Sequence, residues 1–280
     1  MGNGLSAAQL RDKARLLRAD ILAMLCKAKS GHPGGSLSSI DILTVLYNNV
    51  LSHDPGNPDW DARDRFVLSK GHGCPALYAV LADCGYFARK ELATLRVYGS
   101  ILQGHPYMRK MPGLDISSGS LGQGLSVCVG MALAAIADGK DLRVYCLMGD
   151  GEQQEGQVWE AAMAASRYNL DNLCGIVDCN GLQIDGYVAD VMDIEPLADK
   201  WAAFNWNVIT ADGHDVGAIE RAFNEAKACR GKPSVIIANT IKGKGVSYME
   251  DAASWHGVCP DEAQLSAALE ELECTGVELC

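Results

Sequence analysis

No stretch of this 280-residue chain reaches the roughly 18 to 20 consecutive apolar residues that a membrane-spanning helix requires. Internal repeats, low-complexity blocks, a secretory signal and any Cys-x-x-Cys pair are also missing. The cysteines number eleven, an odd count at irregular spacing, which speaks against a disulfide framework and for reduced thiols in a cytoplasmic protein. Cys146 and Cys174, in apolar strand-like runs, read as small core hydrophobes. Nor is there a Lys/Arg stripe: the formal net charge is −11 and the isoelectric point near 5.0, which argues against nucleic acid as a partner. The opening Met1-Gly-Asn-Gly-Leu-Ser6 matches a myristoylation pattern in form, but no basic patch backs it as a membrane anchor.

What the chain does have is apolar residues, 48% of the total, enough for a sizeable core in one or two domains and too many for disorder. Two stretches carry its chemistry. Tyr145-Cys-Leu-Met-Gly-Asp150-Gly-Glu-Gln-Gln-Glu-Gly-Gln157 and Ile176-Val-Asp-Cys-Asn180-Gly-Leu-Gln are each an apolar run ending in a carboxylate or amide beside glycine. That is the arrangement expected where a ligand meets the C-terminal edge of an α/β sheet. A diphosphate held through Mg²⁺ needs hard oxygens, and Asp150, Asn180 and the Leu182 carbonyl could supply them. Gly149 and Gly151 let backbone approach phosphate, and the run from Gly156 through Val158, Ala161, Ala162 and Ala165 reads as a helix whose N-terminus would face the anion. Gly-Asp-Gly alone is an ordinary turn. The spacing adds weight: the gap between Asp150 and Asn180 holds a helix and a return strand, so the two can sit on neighbouring strand ends. A dinucleotide fingerprint fails, because Gln154 stands where the third glycine of G-x-G-x-x-G belongs.

Along the chain, Ser6 is a candidate N-cap for a helix from Ala7 to Lys29, with Leu10, Ala14, Leu17, Ile21 and Leu25 at helical spacing. Ser30-Gly-His32-Pro-Gly-Gly-Ser36 reads as a helix-breaking loop before a helix around Ile40 to Tyr47. Asp64 to Leu68 is a β-run that stops at the glycine-flanked His72, with a helix from Pro75. Gln103-Gly-His105-Pro repeats the device. Ser118-Gly-Ser-Leu-Gly122-Gln-Gly124 then opens a helix from Leu125 to Ala137, its glycines fitting a close approach to ligand, to another subunit, or to a neighbouring helix. Strands follow at Asn207–Thr210 and Ser234–Asn239 with an amphipathic helix, Val216–Cys229, between them. His53 and His214, in turn-forming contexts, are not read as catalytic. Thr240-Ile-Lys-Gly-Lys-Gly245 reads as a mobile basic loop leading to Ser254-Trp-His256-Gly257. The alternation of short strands and helices implies an open, mostly parallel sheet with helices on both faces. We read one domain over residues 1–280, with a peripheral helical segment at 6–50 and a short tail at 262–280.

Gly-Asp-Gly with Asn at this distance resembles the thiamine diphosphate motif. Gly149-Asp-Gly-Glu-Gln-Gln-Glu-Gly156, Asp185-Gly186 and Ser30-Gly-His-Pro-Gly-Gly-Ser-Leu37 resemble the transketolases in particular, and the similarity runs from about Ser30 to His256. The resemblance implies thiamine diphosphate with Mg²⁺, or Ca²⁺ or Mn²⁺, as cofactors. Asp150, Asn180 and Leu182 would be the metal ligands; Gly119, Leu121, Gly149, Gly151, Glu155, His72 and His256 would contact the cofactor; His32, His72, His105 and His256 would be catalytic, with imidazole pKa values near neutrality. Transketolases also carry a pyrimidine-binding and a C-terminal domain, and the glutamate that activates the cofactor lies outside the part matched here. The chain therefore resembles the N-terminal subunit of a split enzyme moving a two-carbon ketol unit from a ketose or ketose phosphate to an aldose. Its partner subunit would carry the other domains, two copies of each chain would assemble, and the Ser117–Gln123 and Lys242–Val246 loops would be exposed to that partner. Alternatives are a deoxyxylulose-phosphate synthase-like or 2-oxoacid dehydrogenase-like subunit, or a non-catalytic cofactor-binding scaffold.

Overall fold

The computed structural model describes residues 4–184, 186–274, 276 and 279; Asp185 of the motif above, Met1 to Asn3 and most of the tail after 274 lie outside them. Ser6 caps α1 (Ala7–Ala28) in a reciprocal box, its Oγ accepting from Gln9 N–H while Gln9 Oε1 accepts from Ser6 N–H at 2.9 Å. Leu10, Ala14, Leu17, Ile21 and Leu25 all face inward.

The next helix corrects the sequence reading. α2 (Pro33–Val45) begins inside the supposed loop, with Pro33 at a first-turn position where its missing N–H costs nothing. Its glycines are there for clearance, not for a break: a Cβ on Gly34 would stand 2.9 Å from Lys242 Cγ. Nor is this segment peripheral, since every residue of α2 is buried.

Strand β1 (Arg65–Leu68) leads through a tight turn at Gly71–Gly73 into α3 (Cys74–Cys84). After a long loop come α4 (Gln123–Ala137), β2 (Val144–Gly149), α5 (Gly156–Arg167) and β3 (Leu173–Cys179). A small antiparallel pair, β4 (Leu182–Gln183) with β5 (Gly186–Tyr187), and the short helices α6 (Val188–Met192) and α7 (Leu197–Ala203) were not legible in the sequence. The chain continues through β6 (Asn207–Asp212), α8 (Val216–Ala228), β7 (Ser234–Asn239) and α9 (Glu262–Glu271).

Five strands form one parallel sheet in the order β1-β2-β3-β7-β6. Strand alternation divides the core in two. Phe66, Leu68, Tyr145, Leu147, Ile176 and Ile236 pack under α1, α2, α3 and α8, while Val67, Val144, Cys146, Met148, Val177 and Ile237 pack against α4, α5 and α7. The sheet is thus covered on both faces, as near-continuous apolar strands require. The cysteines among the described residues are free, with Cys146 and Cys174 buried in strands. No helix among them is long and apolar enough to cross a membrane.

The glycines that open α4 serve intramolecular packing. A Cβ on Gly124 would lie 2.4 Å from Ser69 Oγ and 2.9 Å from Ser69 Cα, whereas one on Gly130, in the same helix, would meet nothing within 4 Å. Gly124→Ala should therefore cost about 1–3 kcal/mol through overpacking, and Gly130→Ala should gain up to about 1 kcal/mol of helix propensity. Urea unfolding of the two variants checks this; equal effects of the two would show that Ser69 yields freely.

Candidate functional site

Parallel pairing sets the geometry of the candidate site. β2 and β3 are neighbours with Gly149 opposite Asp178, so Asp150 and Asn180 emerge side by side at the C-terminal edge. That edge is lined by the turns after β1, β2, β3 and β7, and it floors a cavity of about 350 Å³. His32, His72, His105, Gly119, Leu121, Gly149, Asp150, Gly151, Glu155, Asn180, Leu182 and His256, scattered through the sequence, all line it. A wider groove between α1 and the start of α9 contains none of them.

The oxygen donors suit a hard cation. Asp150 is 3% exposed, its Oδ1 accepting from Gly151 N–H at 2.7 Å and its Oδ2 from Gly181 N–H. Among the described residues it has no ion-pair partner. Burial, and then the nearby Asp178 carboxylate, push its pKa up to about 6, so a cation placed against it would relieve an uncompensated charge. Asn180 donates its amide to Asp178 at 3.3 Å, which orients its Oδ1 the other way, toward Leu182 N–H at 3.2 Å. Among the described residues, no cluster of three His, Cys, Asp or Glu is placed to hold a metal. A cation here would rest on one carboxylate, amide and carbonyl oxygens, and oxygens of its ligand, the mode typical of Mg²⁺ with phosphates.

Two buried lysines supply positive charge that sequence reading passed over. Lys70, 1% exposed, donates to Gly35 O at 2.8 Å and pairs with the fully buried Asp178. Lys242, 3% exposed, donates to Leu182 O at 3.0 Å and lies 2.8 Å from His256 Nδ1. Burial, then Lys70, lowers the Lys242 pKa to about 8. Among the described residues no carboxylate pairs with it, so it is disposed toward an anion in the cavity. The 240–245 loop is accordingly not the mobile, partner-exposed element expected from its glycines: Lys242, Gly243 and Val246 are buried, while Ser117, Ser120 and Gln123 of the other expected surface are exposed. A readable signal existed, because Lys70 and Lys242 both follow buried strands at the same sheet edge as Asp150 and Asn180.

Glu152 was also missed. Buried at 2% exposure, it accepts from Gly122 N–H at 2.8 Å, from Gly149 N–H at 2.9 Å and from Ser69 Oγ, tying the ends of β1 and β2 to the start of α4. Gly35, Gln154, Gln183 and Ile184 line the cavity too. The expected anion-facing helix end is displaced: a 3-10 turn, Gly151–Gln154, intervenes before α5, so that turn and not the first turn of α5 reaches the cavity.

The four histidines converge. Ring centroids lie 5.3 Å apart for His32 and His72, 5.4 Å for His32 and His256, 5.2 Å for His72 and His256, and 6.4 Å for His32 and His105. Near-neutral pKa values, expected from the family, are not what this packing produces. Burial first, and then neighbouring cations, lower His32 to about 4 and His256 to about 3, and depress His72 and His105 as well. At neutral pH they are uncharged imidazoles, each with one donor and one acceptor nitrogen. Among the described residues His32 Nδ1 is buried without a hydrogen-bond partner.

Because these imidazoles resist protonation when folded and accept it readily when unfolded, stability falls as pH drops from about 6.5 toward 4. Asp150 and Glu152, whose carboxyl pKa values burial raises, work in the opposite direction over part of that range, two groups against four. Thermal unfolding of His32→Asn should lose less midpoint between pH 6.5 and 4 than the parent chain does; parallel losses would show that His32 is not buried in its neutral form.

Residues 6–275 match the family model described as transketolase, thiamine diphosphate binding domain. The chain is 48% identical over 267 residues to the 6-deoxy-6-sulfo-D-fructose transketolase subunit of Clostridium sp. (strain MSTE9), covering 95% of this chain and 97% of that protein. It is 46% identical to an apulose-4-phosphate transketolase subunit of Phocaeicola vulgatus, covering 91% and 90%. Among solved structures, the transketolase of Campylobacter jejuni superposes with a TM-score of 0.91 at 36% identity, over 97% of this chain but 44% of that one. A sheet edge with paired oxygen donors, buried cations and converging histidines thus lies in a domain of known kind: the chain belongs to the transketolase family, as its thiamine diphosphate-binding domain.

Proposed function

We propose that this chain is the diphosphate-binding subunit of a two-chain transketolase that transfers a two-carbon ketol unit from a ketose to an aldose. The observation that carries the reading is the convergence, in one cavity, of every candidate cofactor, metal and catalytic residue. Asp150, Asn180 and the Leu182 carbonyl would hold a divalent cation, Mg²⁺ or else Ca²⁺ or Mn²⁺. Gly151, whose N–H is already turned toward Asp150, and Lys242 would meet the diphosphate, with Gly119, Leu121, Gly149 and Glu155 around the rest of the cofactor. Thiamine diphosphate, when bound, supplies an electron sink for the carbon–carbon bond change.

The chain's own residues do the remaining work. Neutral His32 and His105 would orient sugar hydroxyls and accept or return their protons, His256 would donate a hydrogen bond to them, and His72 would sit nearest the diphosphate. Since Lys242 N–H groups point at His256 Nδ1, His256 would present its Nε2–H to the cavity. The relatives named above act on sugars bearing a sulfonate or a phosphate, which supports an anionic sugar as substrate here.

A second polypeptide is part of the proposal. The chain spans nearly the whole of two proteins called subunits but 44% of a solved transketolase chain, and the remaining domains would come from a separate subunit. The Ser117–Gln123 loop, where Ser117, Ser120 and Gln123 are exposed, is the surface we assign to it, in an assembly with two copies of each chain.

Replacing Asp150 with Ala removes the charged ligand and should weaken cofactor binding in the presence of Mg²⁺ by several kcal/mol; calorimetry that finds unchanged affinity would sink the site assignment. In the assembled enzyme, His105→Ala and His256→Ala should each lower turnover roughly 10²-fold with cofactor affinity nearly intact, and full activity with every sugar pair would reduce them to turn residues. The purified chain alone should transfer no ketol unit, with activity appearing on addition of the partner and saturating at equal amounts. Transfer by the isolated chain would refute the two-subunit reading.

A further inference from the structure

The loop that carries Lys242 ought to be loose. It leaves β7 at Thr240, and two of its glycines take positive φ, +80° at Gly243 and +93° at Gly245. Yet Lys242 is buried and fixed, and the cause lies outside the cavity. Ile241 N–H, the amide just before Lys242, donates to His214 Nε2 at 2.8 Å. His214 Nδ1 lies 2.8 Å from Asp41 Oδ2 on α2. A backbone N–H can only donate, so Nε2 is the acceptor nitrogen, and Nδ1 carries the proton that it gives to Asp41. On the other side Arg18, from α1, makes a two-point contact with the same carboxylate, with Nη1 to Oδ1 at 3.1 Å and Nη2 to Oδ2. Its Nε then donates to Lys244 O at 3.0 Å.

We propose that Asp41, with His214 and Arg18 on either side of it, is a clamp that positions Lys242 in the cavity. The residue before Lys242 and the residue two beyond it are each held to one buried carboxylate through a single intermediary. Asp41 is 5% exposed; burial alone would raise its pKa, but Arg18 and His214 outweigh that and hold it below the usual carboxylate range, so the clamp is ionic as well as geometric. His214 is itself fixed, its N–H donating to Asp212 Oδ1 at 2.8 Å. None of the three lines the cavity. They are positioning residues acting through Lys242, whose contacts with Leu182 O and His256 would not survive a displacement of about 1 Å.

The inference rests on the reading above that Lys242 faces the cofactor's diphosphate, and the experiment separates the two. Hydrogen–deuterium exchange on the full chain compares the parent, His214→Leu and His214→Gln. The Leu variant should speed exchange of amides 240–246 at least about tenfold and leave β7 and α1 unchanged. The Gln variant, which keeps a donor for Asp41 and an acceptor for Ile241 N–H, should restore protection. Unchanged protection at 240–246, or acceleration spread over the whole chain, would overturn the clamp. In the enzyme assembled with its partner, thiamine diphosphate affinity is then measured for Lys242→Met, His214→Leu and the double variant. A weakening of about tenfold or more in each single variant, with no further loss in the double, is expected. Additive losses, or a loss in Lys242→Met without one in His214→Leu, overturn the clamp alone, and normal affinity in Lys242→Met overturns the reading of Lys242 and the clamp with it. Should His214→Leu fail to fold, Arg18→Lys, which keeps the charge at Asp41 but removes the Nε donor to Lys244 O, carries the same comparisons.

Discussion

Asp178 has no contact with solvent, and the C-terminal edge of the sheet is organised by the ways its charge is met. The carboxylate accepts from Lys70 at the end of β1, from Ser38 Oγ on α2 at 2.6 Å, from Thr240 Oγ1 at the end of β7, and from the Asn180 amide two residues along. A buried ion pair of this kind is weak evidence for net stability, because desolvation consumes much of the Coulomb gain. Its consequence here is directional. With so many donors converging on one side chain, three strand ends and one helix are held in register, and the Asn180 amide is oriented with its Oδ1 away from Asp178.

The same charge shapes the electrostatics around it. Asp178 is what, after burial, raises Asp150, and Lys70 is what, after burial, lowers Lys242. The cavity therefore holds an underneutralised carboxylate and an underneutralised ammonium a short way apart, a pair of unmet demands that a metal–diphosphate ligand satisfies together, its cation at one and its anion at the other. The histidines stand above this floor. Crowded together and desolvated near two lysines, they stay neutral, which suits hydrogen bonding to sugar hydroxyls better than holding fixed charge.

Several mistaken readings share one physical origin. Pro33 with Gly34 and Gly35 looked like a helix break, since local propensity disfavours glycine in helices; tertiary packing overrode it, because the Lys242 side chain passes where a Cβ would be. The glycine loop from Thr240 looked mobile for the same reason, and contacts from residues 18 and 214, remote in sequence, immobilise it. Lys70 and Lys242 were overlooked because a lysine beside glycine is ordinarily a solvated surface residue. Their place just after apolar strand runs was the local signal, while the depth of their burial follows from strand order, which local pattern does not contain.

Hydrophobic period, glycine punctuation and the spacing of Asp150 and Asn180 by themselves determined the α/β class, the principal strands and that oxygen pair, because strand length and the strand–helix–strand gap are local properties of the chain; the other expected site residues came from the resemblance to transketolases. The tertiary structure decided the rest. Only parallel pairing of β2 with β3 puts Asp150 beside Asn180, only burial takes the histidines below neutrality, and only the meeting of α1, α2, β6 and β7 brings Arg18, Asp41 and His214 to the Lys242 loop. Those outcomes depend on distances between residues far apart in sequence and on the exclusion of water, and neither quantity exists until the chain has folded.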